Sequence, residues 1–173
     1  MTQQSDLNVD RDRIWAALEA LSDPEIPVLT LREMGILREV RPGRHGWDIV
    51  ITPTYSGCPA MGQIEDDIRS ALLAQGIEAK VLVQLAPAWT TDWMNEQAKA
   101  KLRDYGIAPP AGPAPSGGVS ILRLSSRTPE HDVACPRCSS ANTTEISHFG
   151  STACKALFRC LDCMEPFDHF KPH

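Results

Sequence analysis

Gly35-Ile36-Leu37-Arg38-Glu39-Val40, Trp47-Asp48-Ile49-Val50-Ile51-Thr52 and Lys80-Val81-Leu82-Val83-Gln84-Leu85 flank a segment in which Met61, Ile64, Ile68, Ala71 and Leu72 are apolar. The changes of period along this stretch decide the fold. The first two segments alternate apolar with polar residues about the reversal Pro42-Gly43-Arg44-His45-Gly46, which predicts a β-hairpin. The spacing of the Met61–Leu72 set is helical, and Gly76 supplies a C-terminal stop. Lys80–Leu85 then reads as a third strand, so strand, helix and strand imply a right-handed parallel crossover. Working outward, Ile14, Ala17, Leu18 and Leu21 predict a helix over about residues 10–21. Met94, Ala98, Leu102 and Tyr105 form one stripe of a last helix that stops at Gly106, and Trp89, Trp93, Met94 and Tyr105 read as core. The order α-β-β-α-β-α is that of a small α+β sandwich with helices packed on one sheet.

The next thirteen residues, Gly106–Gly118, hold eight Pro or Gly, a composition that supports neither a helix nor a sheet ladder. They are expected to be a linker, which divides the chain into a domain over 1–105, a linker over 106–118 and a second domain over 119–173. The chain has 173 residues, 42% of them hydrophobic and 23% charged, the balance of a folded protein. No apolar run approaches the roughly 18 residues of a membrane span, and the opening residues lack a basic stretch followed by an apolar one. A cytoplasmic location and no membrane partner are expected. The net charge is −5, residues 1–105 carry 11 basic against 16 acidic side chains, and residues 106–173 carry 6 of each. Nucleic-acid binders cluster Lys and Arg against phosphates, so this distribution argues against DNA or RNA as a partner.

Five of the six cysteines follow residue 134. Cys135-Pro136-Arg137-Cys138 and Cys160-Leu161-Asp162-Cys163 are two Cys-x-x-Cys knuckles, which place four thiolates on tight turns where they can close a tetrahedron around one metal. Zinc is the expected ion, iron in a rubredoxin-like site being the alternative. Filled coordination makes the site structural, and about 50 residues need such a staple to fold. Thr143–Phe149, Lys155–Arg159 and Glu165–Phe170 are the strands expected to display the knuckles. Cys154 has no knuckle partner and is a small buried residue, an additional redox thiol beside Lys155, or a ligand used only transiently. His131 and His148 lie near the knuckles, but four cysteines already suffice.

The sixth cysteine lies in Thr52-Pro53-Thr54-Tyr55-Ser56-Gly57-Cys58-Pro59, between the second strand and the middle helix. Pro59 suits the first position of a helix, which would make Cys58 the N-cap and lower its pKa through the helix dipole. Thr52, Thr54 and Ser56 offer hydroxyls around the sulfur. A packed structural cysteine is the alternative. Asp23 and Glu25, in Asp23-Pro24-Glu25-Ile26-Pro27, are either an acid/base pair or a solvated cap. No Gly-rich phosphate loop, Gly-x-Ser-x-Gly elbow or His-Glu-x-x-His helix is present.

The Asp23–Pro27 segment, the Thr-x-x-x-Gly-Cys-Pro run ending at Pro59 and the element order resemble the iron-sulfur assembly family that includes SufT and the eukaryotic cytosolic targeting factor. With Trp89-Thr90-Thr91-Asp92-Trp93-Met94, Tyr105–Pro110 and a ribbon holding Gly150–Ala156 and Glu165-Pro166-Phe167, nearly the whole chain resembles the PaaD family, components associated with bacterial phenylacetyl-CoA epoxidase. The resemblance implies a non-catalytic accessory protein of aerobic phenylacetate catabolism that helps install or repair an iron-sulfur or di-iron centre. It implies the epoxidase reductase or oxygenase component as client, a homodimer as a possible state, and a transient cluster on Cys58 with Asp23, Glu25 and Thr54 beside it. Two alternatives compete: a thiol-disulfide oxidoreductase using Cys58, and a zinc-ribbon adaptor with no metal-transfer role.

Overall fold

The computed structural model describes residues 2–44, 46–110 and 133–173, with the backbone alone for residues 2–9. Two compact units result: residues 1–89 with 93–98, and residues 90–92 with 99–173. The first contains α1 (Thr2–Glu19), β1 (Leu37–Pro42), β2 (Trp47–Ile51), α2 (Met61–Leu73) and β3 (Ala79–Val83). A short 3-10 turn, Thr91–Trp93, precedes α3 (Glu96–Tyr105), and β4 (Ile107–Ala108), β5 (Thr143–Ser147), β6 (Lys155–Cys160) and β7 (Pro166–Phe170) follow.

In the first unit the sheet order is β1-β2-β3. The expected hairpin is present as the antiparallel pair β1/β2, and the expected crossover as the parallel pair β2/β3, with Ile51 opposite Val83. Gly46 makes the reversal possible: its φ is +89°, and a Cβ there would lie 2.2 Å from the Glu78 carbonyl oxygen. Ile14 and Leu18 of α1, Ile64, Ile68 and Leu72 of α2, and Ile49 and Ile51 of β2 are all fully buried, so both helices bury a four-residue-spaced stripe. Leu29 and Leu31 are buried as fully, and each such aliphatic side chain contributes roughly 1.5–3 kcal/mol. Trp89 closes this core, its indole N–H donating to the Met34 carbonyl at 2.9 Å.

In the second unit the order is β4-β7-β6-β5. The three expected ribbon strands form, and β4 is an addition. Ile107 and Ala108 pair in parallel with Asp168 and His169 of β7, so these two residues of the expected linker sustain a ladder after all. Composition misjudged them because β7 supplies the partner. Gly106, at φ +96°, turns the chain from α3 into β4 with the Arg137 guanidinium 3.3 Å from where a Cβ would stand. Thr91 belongs to this unit as well, since its N–H and hydroxyl donate to the His173 carbonyl at 3.1 and 3.4 Å. Residues 111–118 of the expected linker, and His131, lie outside the described residues. The core of the unit is Ala108, Val133, Ala156, Phe158 and Phe167 together with Cys135 and Cys160.

Three further expectations are corrected. The first helix begins well before residue 10 and ends at Glu19, leaving Leu21 in the turn beyond it. Met94 precedes α3 instead of opening it, although it is buried. Tyr105 is 52% exposed and is not core.

Candidate functional site

Cys135 and Cys138 flank the turn before β5, and Cys160 ends β6 with Cys163 just beyond it. The pairing of β6 with β5 and β7 brings the two knuckles together: the four Sγ atoms all lie within 4.8 Å of one another. The separations Cys135–Cys163 and Cys138–Cys160 are 3.8 and 3.6 Å. A metal held tetrahedrally at zinc–sulfur distances spaces its ligand sulfurs about 3.8 Å apart, so these two pairs already match that spacing and the others, within 4.8 Å, can close on an ion through small side-chain shifts. Backbone N–H groups support the sulfurs, Arg137 donating to Cys135 and Cys163 to Cys160, each at 3.4 Å.

The thiols are unequal. The Cys163 N–H directed at its sulfur holds Cys160 down to about 7. Cys163 is lowered by the Glu165 N–H but raised more by burial and the three neighbouring thiols, reaching about 12. Four sulfurs this close cannot all ionise without a cation between them, and a divalent ion removes the conflict. Asp162, inside the second knuckle, accepts from the Ser140 hydroxyl at 2.5 Å and from the Asn142 side-chain amide at 2.7 Å. Those bonds lower its pKa and tie the second knuckle to the segment after the first. Sequence reading passed over Asp162; a carboxylate between two cysteines, with Ser140 and Asn142 just after the other pair, was the available signal.

Cys154 is not part of this cluster. It is buried, its sulfur 3.0 Å from the Thr152 hydroxyl, at the opposite end of β6 from Cys160. Beside it Lys155 is buried against Asp168, with a nitrogen-to-oxygen distance of 3.6 Å. His148 is exposed and 3.5 Å from Glu145, away from the ligand set.

The thiol of the first unit is of a different kind. Cys58 is half-buried in the loop that leaves β2, and it is not the N-cap of α2. Its N–H donates to the Tyr55 carbonyl at 3.2 Å and its carbonyl accepts from the Met61 N–H at 3.4 Å. Two successive turns therefore precede the helix. Pro59 occupies the second position of the later turn, where its fixed φ is equally at home, and Ala60 becomes the N-cap without a side-chain bond. Around the loop, Thr52 and Thr54 are buried and Ser56 is exposed. Among the described residues the Thr52 hydroxyl has no hydrogen-bond partner.

Asp23 is a cap but not a solvated one: at 5% exposure its Oδ1 accepts from the Glu25 and Ile26 N–H groups, both at 2.8 Å. Glu25 is half-buried on the same turn.

Against known proteins, residues 11–85 match the family model described as iron-sulfur cluster assembly protein, and residues 123–171 match the PaaD zinc beta ribbon domain. The chain is 52% identical, over 91% of its length and 90% of the relative's, to the Escherichia coli (strain K12) protein provisionally named as the D component of 1,2-phenylacetyl-CoA epoxidase. It belongs to the PaaD family. This chain joins two modules, and some relatives match the first over most of their own length. The Fe-S protein maturation auxiliary factor YitW of Bacillus subtilis (strain 168) is 33% identical over 53% of this chain and 92% of its own. The crystal structure of a domain of unknown function, DUF59, from Bacillus anthracis matches with TM-score 0.50 and 29% identity, over 55% of this chain and 92% of that one. The PaaD-family chain is thus an α+β assembly-type domain followed by a four-cysteine ribbon, as its sequence predicts. Among the described residues no helix is long and apolar enough to cross a membrane.

Proposed function

We propose that this chain is a non-catalytic maturation factor of a cytoplasmic phenylacetyl-CoA epoxidase system, which delivers or repairs an iron-sulfur or di-iron centre in the reductase or oxygenase component. The observation that carries this reading is the division of the cysteines. Four converge on one another in the ribbon, while residues 1–105 contain a single cysteine, half-buried on a loop of a domain similar to an Fe-S protein maturation auxiliary factor.

Cargo transfer needs a ligand that binds and then lets go. One thiolate suits this: iron-sulfur centres are normally held by four cysteines, so a client offering a full set outcompetes Cys58. The exchange changes no oxidation state: each client thiol that binds releases a proton, one of these protonates the departing Cys58 thiolate, and the others pass to the remaining displaced ligands or to solvent. Asp23, by tying down two backbone N–H groups, fixes the turn that carries Glu25, while Thr54 packs the base of the loop; we assign all three positioning roles. The remaining ligands of a bound cluster come from the client or from a second chain in a homodimer. Cys135, Cys138, Cys160 and Cys163 hold structural zinc that folds the ribbon and takes no part in transfer. The test is a Cys58→Ser strain grown on phenylacetate, in which the epoxidase components are purified and their iron counted. Iron-deficient components are expected, with zinc in the variant unchanged.

A further inference from the structure

β3 is an edge strand, and it is the unguarded edge of its sheet. The opposite edge, β1, carries the usual defences: exposed Arg38, Glu39 and Arg41, a register shift between Leu37 and Glu39, and Pro42 at its end. β3 has one charge, Lys80, followed by Val81-Leu82-Val83-Gln84-Leu85 with no bulge, and Val83 and Leu85 are 46% and 57% exposed.

The direction of its backbone groups is fixed by two bonds to β2. The Glu78 carbonyl accepts from the Trp47 N–H and the Gln84 N–H donates to Ile51. Even-numbered residues therefore point at β2, and the N–H and C=O groups of Ala79, Val81 and Val83 point outward. Among the described residues no strand lies on that side. The side chains along the edge also differ by face. Lys80 and Leu82 help line a cavity of ≈ 380 Å³ with Arg44 and Asp48, and Asp48 is also 3.8 Å from Arg41. Arg44 and Lys80 are the cations of this lining and Asp48 is its one acid, while exposed Glu78 precedes Lys80 by one pleat. Val81, Val83 and Leu85 lie on the other face.

We propose that β3 is a docking edge for an extended, acidic segment of a partner protein, which adds as a further strand. Its backbone pairs with Ala79, Val81 and Val83. Asp or Glu side chains on one face meet Lys80 and Arg44, and apolar side chains on the other cover Val83 and Leu85. Ile51 lies opposite Val83, so a docked segment would end at the edge of the sheet from which the Cys58 loop departs. Docking at this edge does not require a role for that thiol.

The test uses the full zinc-loaded chain and a capped, fluorescein-labelled nonapeptide alternating Val with Glu, beside an isomer with Lys in place of Glu. The Glu peptide is expected to bind and to slow amide exchange at Ala79, Val81 and Val83, while the Lys isomer does not. Lys80→Glu, a change at an exposed position, should weaken binding about tenfold, as cross-strand charge pairs turn repulsive. Equal binding of both peptides, no effect of Lys80→Glu, or binding without protection of the three amides would overturn the proposal. So would concentration-dependent protection of those amides without peptide, which would name a second copy as the occupant.

Discussion

The two units use cysteine in opposite ways. In the ribbon, two of the four clustered sulfurs belong to residues of the hydrophobic core, so a metal held there would be continuous with the packing, and the ribbon is expected to need it to fold. In the first unit Cys58 is half-buried, on a loop held by backbone turns, beside a core of fully buried aliphatic side chains that includes no cysteine. On the function proposed above, one set of thiols serves stability and the other serves chemistry.

The largest effect that would break this comparison is at the ribbon. Cys160→Ser should abolish binding of one equivalent of metal and unfold the sheet β4-β7-β6-β5, since structural zinc contributes about 10–16 kcal/mol in comparable small domains. Amide spectra should lose ribbon resonances and keep those of residues 10–89; simultaneous collapse of both sets would mean that the first unit's core is not sufficient.

Proton competition sharpens the same point. Cys160, held near 7, is largely ionised in the metal-free chain at pH 8, whereas Cys163, near 12, is not. Metal binding must strip a proton from Cys163 at either pH, and from Cys160 as well once the pH falls below about 7. Apparent zinc affinity should therefore drop as pH falls, and the slope between pH 7 and 6 should exceed that between 8 and 7, approaching about one further tenfold loss per pH unit. Chelator competition at the three pH values measures this, and a constant slope would contradict the assigned ionisations.

Smaller effects belong to the first unit's turn and to the fifth ribbon cysteine. Asp23→Ala leaves two N–H groups without their acceptor and should cost about 2 kcal/mol in urea unfolding. Asp23→Asn keeps the acceptor oxygen and should recover most of that loss along with client loading. If Asn restores stability but not loading, Asp23 acts through its charge and not its geometry. Cys154→Ser should leave metal stoichiometry at one and shift stability by about 1 kcal/mol, because it only exchanges a buried sulfur beside Thr152 for a hydroxyl. Loss of metal in that variant would mean a different ligand set.

How much of this could be read from the sequence follows from where each constraint resides. The β1/β2 hairpin, α2 and β3 are written in local apolar periodicity, and the ribbon in the Cys-x-x-Cys spacing, so both were legible. β4 was not, because Ile107 and Ala108 are a strand only by virtue of β7, some sixty residues away. Cys58 was misplaced as an N-cap because Pro59 suits a turn as well as a helix start, and only the bond from Met61 N–H to Cys58 carbonyl decides between them. Tyr105 lies at helical spacing from buried Ala98 and Leu102, yet it is exposed at the last position of α3, a distinction that periodicity does not carry.

The central claim is that Cys58 serves transfer and not folding, and the iron content of the epoxidase components in a Cys58→Ser strain tests it most directly. The variant is predicted to unfold within about 1 kcal/mol of the parent, to retain its zinc, and to leave the client deficient in iron and in activity on phenylacetate. A fully loaded client in that strain would contradict the claim and reduce Cys58 to part of a turn.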